Sequence, residues 1–313
     1  MEFGLFLPVS GRAATRRTLM EAAQLAEAWG FACAWAAERL VMPWRIETPY
    51  PYAEGSVFFV PPDRPFLESL SVLAFLAGCT ERMRLGVSVL VLPYRHPLQW
   101  AKAAASIDTL AEGRFILGVG IGWMREEFAA LGAPFDERAA VADEQLALLR
   151  GPLGQEHASF DGRFYRFEDI AFNPRGYQGR RLPIWVGGEG RPAQRRAARY
   201  GDAWFPYFVR VAPEEVATRF GWVREQAAQA GRDPASVRLN LNLPIEVTQA
   251  PVEQEPDRLR GTPDQLAAAI ERFRAVGVEH LALQFMVPHY PERLAQIRQF
   301  AQEVLPRFRT GQG

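Results

Sequence analysis

Strand-like apolar runs alternate with helix-like stretches eight times along this chain, and several of the helical stretches stop at a glycine just before the next strand begins. The strand readings are Phe3–Leu7, Phe31–Ala36, Leu85–Leu92, Phe115–Ile121, Leu182–Gly187, Ala203–Phe205, Val237–Val247 and Val278–Phe285. Phe31–Ala36 is apolar almost throughout, the pattern of a parallel strand covered on both faces. The helical stretches carry their own punctuation. Thr18 and Glu21 are spaced as a capping box before an inward face of Leu19, Ala22, Ala26 and Trp29, and Gly30 takes the C′ position. Pro97 opens a helix whose Trp100, Ala104, Ile107 and Ala111 face inward, and Gly113 stops it. Asp136 is placed to cap a helix running to Arg150, and Thr262-Pro263-Asp264-Gln265 starts another. Eight such units without a break in composition predict an α/β fold, a single (β/α)8 TIM barrel with residues 1–313 as one domain. A doubly wound open sheet is the structural alternative.

A minimal barrel needs about 250 residues. The surplus of this 313-residue chain gathers in Val41–Phe66, after the second strand, and in Gly151–Arg181, before the fifth. Both are rich in proline, glycine and aromatic residues, without helical period. They are expected at or beside the catalytic face as lids rather than linkers.

Composition narrows the chemistry. Basic and acidic residues balance at 36 each, which argues against nucleic acid as the partner. No apolar run approaches a membrane span, and Met-Glu-Phe-Gly-Leu-Phe-Leu-Pro has an acid where a signal peptide needs bases. Cys33 and Cys79 lie in apolar stretches and read as small core residues, so a cytoplasmic protein is expected. Lys102 is the only lysine and sits within a helix, which disfavours Schiff-base and pyridoxal-phosphate enzymes. His96, His157, His280 and His289 are scattered, so no metal site is expected.

Several positions admit both a chemical and a purely structural reading. Gly187-Gly188-Glu189-Gly190 follows the fifth strand and opens a helix, where free amides and the dipole favour an anion and Arg191 adds charge. The same glycines also suit a tight turn with no ligand. Should that loop hold no phosphate, the glycines of the fourth strand, Gly120 and Gly122, are the next place for it. Ser88, between valines in the third strand, is otherwise a buried polar residue satisfied by backbone. Glu38 and Arg39 end the second strand, where side chains either meet a substrate or form a surface ion pair. Trp123, after the fourth strand, is pocket wall or core. The loop from Pro49-Tyr50-Pro51-Tyr52 to Phe58-Phe59-Val60-Pro61-Pro62 is a stiff apolar cover, or else packing and a dimer contact. Trp44, Trp123 and Trp204 extend that apolar wall, and Arg39 is its evident cation. Such a pocket favours a largely apolar or aromatic substrate with a single oxygen or anionic group.

The stretch Arg84–Trp123, RLGVSVLVLPYRHPLQWAKAAASIDTLAEGRFILGVGIGW, resembles the luciferase-like flavin and deazaflavin oxidoreductases. So do Glu126–Arg138, EEFAALGAPFDER, and the text between Gly162 and Trp204. Within that superfamily the text is most similar to the branch assigned to coenzyme F420, a 5-deazaflavin hydride carrier. The resemblance implies the same barrel, a cofactor phosphate at Gly187, Gly188 and Gly190, and a cis peptide bond at Ser88–Val89 bulging beneath the cofactor ring. It places Glu38, Arg39 and Trp123 at the reacting centre, with Arg39 standing where the family commonly has histidine. Arginine does not exchange a proton near neutrality but holds an anion or an electron-rich oxygen. Trp123 replaces the acid of the related sugar-phosphate dehydrogenases, which argues against that substrate class.

The resemblance thus implies hydride transfer between F420 and a small organic substrate, while the loop's own rings make that substrate mainly apolar or aromatic, with Tyr50, Tyr52, Phe58, Phe59 and Trp204 lining the pocket. An FMN-dependent monooxygenase is the alternative, with reduced flavin supplied by a separate flavin or deazaflavin reductase; a non-catalytic flavin-binding barrel is another. A homodimer is the usual family assembly.

Overall fold

The computed structural model describes residues 1–52, 58, 60–208, 210–255 and 259–309. In chain order the elements are β1 (Glu2–Phe6), α1 (Arg16–Trp29), β2 (Cys33–Ala36), α2 (Ser69–Ala77), β3 (Arg84–Val91), α3 (Pro97–Leu110) and β4 (Phe115–Gly120). Next come α4 (Arg125–Ala130), α5 (Arg138–Arg150), β5 (Ala158–Asp161), β6 (Arg166–Ile170), β7 (Ile184–Val186), α6 (Arg191–Tyr200) and β8 (Ala203–Trp204). The chain continues through α7 (Pro213–Gln229), β9 (Arg238–Val247), β10 (Leu259–Gly261), α8 (Pro263–Ala275), β11 (His280–Phe285) and α9 (Tyr290–Glu303). Hydrogen-bonded order runs β9-β11-β1-β2-β3-β4-β7-β8, and β8 pairs again with β9. The eight strands read from the sequence are these eight, and the ring excludes an open sheet. The fold is a (β/α)8 barrel. β10 is an addition, paired parallel to the last residues of β9.

The chain divides into two compact units. The first comprises Met1–Pro8, Arg16–Trp35 and Val186–Gly313. Its strands β1, β11 and β9 are in parallel register, Phe3 opposite Leu281 and Leu281 opposite Leu241. Phe3 packs edge-on against Phe300 and Phe308, with ring centres 5.3 and 5.6 Å away. The inward face of α1 is Leu19, Ala22 and Ala26, as its spacing predicts, together with Ala23, while Trp29, expected on the same face, is only partly buried. Thr18 does not cap this helix: α1 begins at Arg16, so Thr18 lies within its first turn. The Thr262–Gln265 box, by contrast, is fully formed at the start of α8. Both motifs have the capping-box spacing, but only the second sits at a helix boundary.

The second unit comprises Val9–Thr15 and Ala36–Trp185. Here β3 and β4 pair in parallel, with their register broken between Val87 and Leu90. The Ser88–Val89 peptide bond is cis. Glycines on β4 make room for this irregular strand: a Cβ on Gly118 would stand 2.0 Å from the Val87 carbonyl oxygen, and one on Gly120 2.5 Å from the Val89 side chain. His96 caps α3, its Nδ1 accepting from the Leu98 amide at 3.3 Å. Asp108, fully buried on α3, accepts from the amides of Phe115 and Tyr177 and pairs with Arg180 at 2.9 Å. Asp136 does not cap α5; it pairs in solvent with Arg125 at 2.7 Å, and Glu137 occupies the cap position.

The two surplus segments differ. Gly151–Arg181 contains the antiparallel pair β5–β6, short strands in a stretch without helical period. The amides of Phe164 and Tyr165 in its turn donate to Glu144 on α5 at 2.9 and 2.8 Å. The Tyr165 hydroxyl accepts from Gln145 at 2.6 Å. Its tail reaches the opposite end of the strands, where Arg180 meets Asp108 beside Phe115 at the start of β4. This segment is therefore anchored along its length rather than poised as a lid. Val41–Phe66 has no helix or strand among its described residues; its end is tied down by Leu67 N–H on the Val9 carbonyl at 2.9 Å.

Candidate active site

In the second unit the chain leaving β2 places two consecutive charged residues, Glu38 and Arg39, in the interior. Each meets the opposite charge from a later element. Glu38 accepts from the Val91 amide and pairs with Arg95 at 2.7 Å. Arg95 also reaches Glu68 at 3.1 Å. Burial pushes the Glu38 carboxyl up to about 7, against the pull of Arg95 and the Val91 amide; nearby Glu68 adds to the rise. Glu68 is half exposed and behaves oppositely. Burial would raise it too, but hydrogen bonds from Ser71 and Leu70 together with Arg95 hold it below the usual carboxylate range.

Arg39 is 8% exposed and forms an ion pair with Glu127 on α4, itself 0% exposed. Glu127 is the hub of this cluster. It accepts from the Leu40 and Val41 amides at 2.8 and 3.2 Å and from the Tyr94 hydroxyl at 2.7 Å. Burial and the carboxylate of Glu127 push the Tyr94 hydroxyl far up, so it remains a donor. The next residue back, Glu126, accepts from the amides of Glu47 and Thr48 at 2.7 and 2.8 Å, fastening the loop after β2 to the same helix.

That loop brings its rings to Arg39. Its guanidinium lies 5.0 Å from the Phe58 ring centre and 5.4 Å from that of Trp123. Tyr50 sits 5.1 Å from Phe58 and 5.0 Å from Trp123, with Tyr52 5.6 Å beyond it. Phe58 and Trp123 thus stand beside Arg39, Tyr50 packs on both of them, and Tyr52 lies behind Tyr50. Phe59 lies outside the described residues. Trp44 is not part of the wall: it is 82% exposed. Gly122 packs instead of opening a site, since a Cβ there would meet Phe128 at 2.7 Å and Val91 at 2.8 Å.

The glycine loop belongs to the first unit. Gly188 has φ +99°, and a Cβ on it would stand 2.8 Å from the Ala193 side chain. Gly190 is the N-cap of α6 and no side chain caps it, which leaves the first-turn amides of Arg191 and Ala193 without intrahelical acceptors. The Gly188 carbonyl is held by the Trp204 indole N–H at 2.9 Å, and Gln194 donates to the Glu189 carbonyl at 2.7 Å. Trp204 is fully buried, so its place is that of a buttress for this loop. Arg191 turns onto the Trp222 ring at 4.2 Å and bonds to Gln194. The Glu189 carboxylate lies 3.8 Å from Arg219, which also pairs with Glu215. Burial raises Glu189, Arg219 opposes that, and Glu215 adds to it.

Sequence reasoning did not find Glu127, Tyr94, Arg95 or Glu68. The only trace of Glu127 was its place in the EEF text of the resemblance; a buried arginine after β2 demands a carboxylate, but nothing in the sequence says which one. Among the described residues no three His, Cys, Asp or Glu side chains gather as a metal would require, and Cys33 and Cys79 form no disulfide. No helix among them is long and apolar enough to cross a membrane.

The family model described as luciferase-like monooxygenase matches residues 1–255. A phthiodiolone/phenolphthiodiolone dimycocerosates ketoreductase of Mycobacterium kansasii is 34% identical over 226 residues, 71% of this chain and 60% of that protein. The chain spans about three-fifths of the length of the first curated relatives it matches. Among solved structures, a monooxygenase from Streptomyces bottropensis superposes with a TM-score of 0.78 at 23% identity, covering 99% of this chain and 100% of that one. An F420-dependent secondary alcohol dehydrogenase bound to an F420–acetone adduct superposes with a TM-score of 0.78 at 16% identity, covering 99% of each. At these identities the structural likeness concerns the fold.

Proposed function

The chain belongs to the luciferase-like monooxygenase family, and from that premise we propose that it is an oxidoreductase using coenzyme F420 on a small, mainly apolar or aromatic substrate. The observation that carries the reading is the glycine loop at the uncapped start of α6. Its backbone is bare where a side chain would collide, and its amides are unspent, so the residues present fit a cofactor phosphate. Gly187, Gly188 and Gly190 would hold that phosphate, with Arg191 adding charge if it leaves Trp222. The likeness of the text between Arg84 and Trp204 to the F420 branch favours F420 over FMN, and the Glu189 carboxylate is occupied by Arg219 at 3.8 Å.

The cofactor, when bound, supplies the hydride chemistry. In the second unit Ser88 and Val89 would support the cofactor ring, with Gly120 giving their strand its space. Tyr50, Tyr52, Phe58 and Trp123 would exclude water and embrace the apolar part of the substrate, and Arg39 would hold its oxygen. Glu38 is a positioning residue in this scheme: both carboxylate oxygens are bound by Arg95 and the Val91 amide, and it holds a proton near neutrality. The mycobacterial ketoreductase supports a carbonyl or alcohol substrate. Residues 1–313 would act as one domain, as a cytoplasmic homodimer in the usual manner of the family.

Binding of F420 and of FMN to the purified protein, measured side by side by fluorescence quenching, tests the reading. F420 should bind at least about tenfold more tightly. Preference for FMN would turn the assignment to a two-component monooxygenase served by a reductase, and binding of neither to a non-catalytic barrel.

A further inference from the structure

We infer that the Arg39–Glu127 pair makes the aromatic box selective for an uncharged oxygen acceptor, a ketone or aldehyde carbonyl, over a carboxylate. Arg39 is more than nine-tenths buried, yet its head is only partly used. Its hydrogen bonds run through one terminal nitrogen, to Glu127 and, at 3.9 Å, to the Met124 sulfur. Among the described residues the buried Nε–H has no acceptor. A buried donor left unmade costs about 1–3 kcal/mol, so an arginine arranged in this way is prepared for an oxygen that the protein itself does not provide. The rings of Phe58 and Trp123 flank the guanidinium, which places that oxygen on an apolar or aromatic molecule.

The charge of that molecule follows from Glu127. Its carboxylate already balances Arg39, and two amides and the Tyr94 hydroxyl fix it in place. The pair therefore offers an N–H donor with no net charge. A ligand carboxylate would become the second anion on a single buried arginine. The same chain contains that arrangement a few residues away: Arg95 serves Glu68 and the buried Glu38 together. There burial first, and the neighbouring Glu68 in addition, push Glu38 up to about 7 even with the arginine in contact. A carbonyl oxygen accepts the same hydrogen bond without that charge. Glu127 thus acts on specificity through Arg39.

The inference rests on the reading of this box as the substrate's side of the enzyme, and its test needs no cofactor. Acetophenone and benzoate present the same ring with an uncharged or a charged oxygen at about pH 8. Calorimetric titration of the whole protein should give acetophenone at least about tenfold tighter binding than benzoate, with quenching of tryptophan fluorescence. Glu127→Gln keeps the size and an acceptor oxygen but frees the charge of Arg39, and the ratio should swing toward benzoate by about tenfold or more. Arg39→Gln should weaken acetophenone without favouring benzoate. Equal or tighter benzoate binding to the unaltered protein overturns the inference, as does binding of neither probe. If Glu127→Gln folds, as circular dichroism would report, an unchanged ratio also overturns it. If it does not fold, the unaltered protein and Arg39→Gln decide. Probe selectivity without F420 or FMN binding would remove the proposed cofactor and leave this inference standing.

Discussion

The glycine loop of the first unit works by what its residues lack, whereas the cluster of the second unit works by side chains that already hold one another. At Gly188 and Gly190 the useful groups are backbone amides, and the surrounding side chains, Trp204 and Gln194, only fix the loop's carbonyls. At Arg39, Glu127, Tyr94, Glu38 and Arg95 each charge is cancelled or shared, and the Arg39 Nε–H has no acceptor among the described residues. A backbone site recognises a shape common to many phosphates and is sensitive to added bulk. A side-chain site recognises charge and is sensitive to the loss of a partner.

The strongest way to break the contrast is Glu127→Ala. It strands a buried guanidinium and releases two amides and a tyrosine hydroxyl, so it should cost about 3–5 kcal/mol of stability, read by urea unfolding. A loss below about 1 kcal/mol would mean that Arg39 finds water or another partner, and the cluster would not be closed. Glu38→Gln comes next and depends on pH. The folded carboxyl sits near 7, above its ordinary 4.5. Its contribution is therefore fully present below about pH 4.5 and is lost as pH rises through about 7. Relative to Glu38→Gln, the unaltered protein should lose on the order of 1–3 kcal/mol across that window. A constant difference would place the Glu38 proton elsewhere.

In the first unit Gly188→Val should weaken F420 or FMN binding about tenfold, roughly 1.4 kcal/mol, because the branched side chain enters the cradle at an unfavourable φ. Folding should persist, and unchanged affinity would move the phosphate site away from this loop. The smallest effect belongs to Trp44→Ser, at a ring that left the wall for solvent. It should change stability by less than about 0.5 kcal/mol, and a larger loss would show that the ring is covered in solution.

The barrel was legible because a parallel strand buried on both faces must be apolar throughout, and because glycines and prolines mark helix ends locally. The Thr262–Gln265 cap is legible from neighbours in sequence. Thr18–Glu21 carries the same spacing and fails, since the preceding residues continue the helix. The β5–β6 pair escaped notice because short, half-exposed strands such as Arg166–Ile170 have no sustained apolar signal.

The eight strands, the glycine loop, the aromatic and proline content of the segment after β2, and Glu38 and Arg39 near a strand end can all be read without the fold. Those are properties of local pattern and of single residues. The tertiary structure decided which aromatic rings surround Arg39, that Trp44 is not among them, and that Glu127, 88 residues along the chain, neutralises it. Charge in a buried place is set by whatever the fold brings within a few ångströms, and a one-dimensional pattern does not contain that distance.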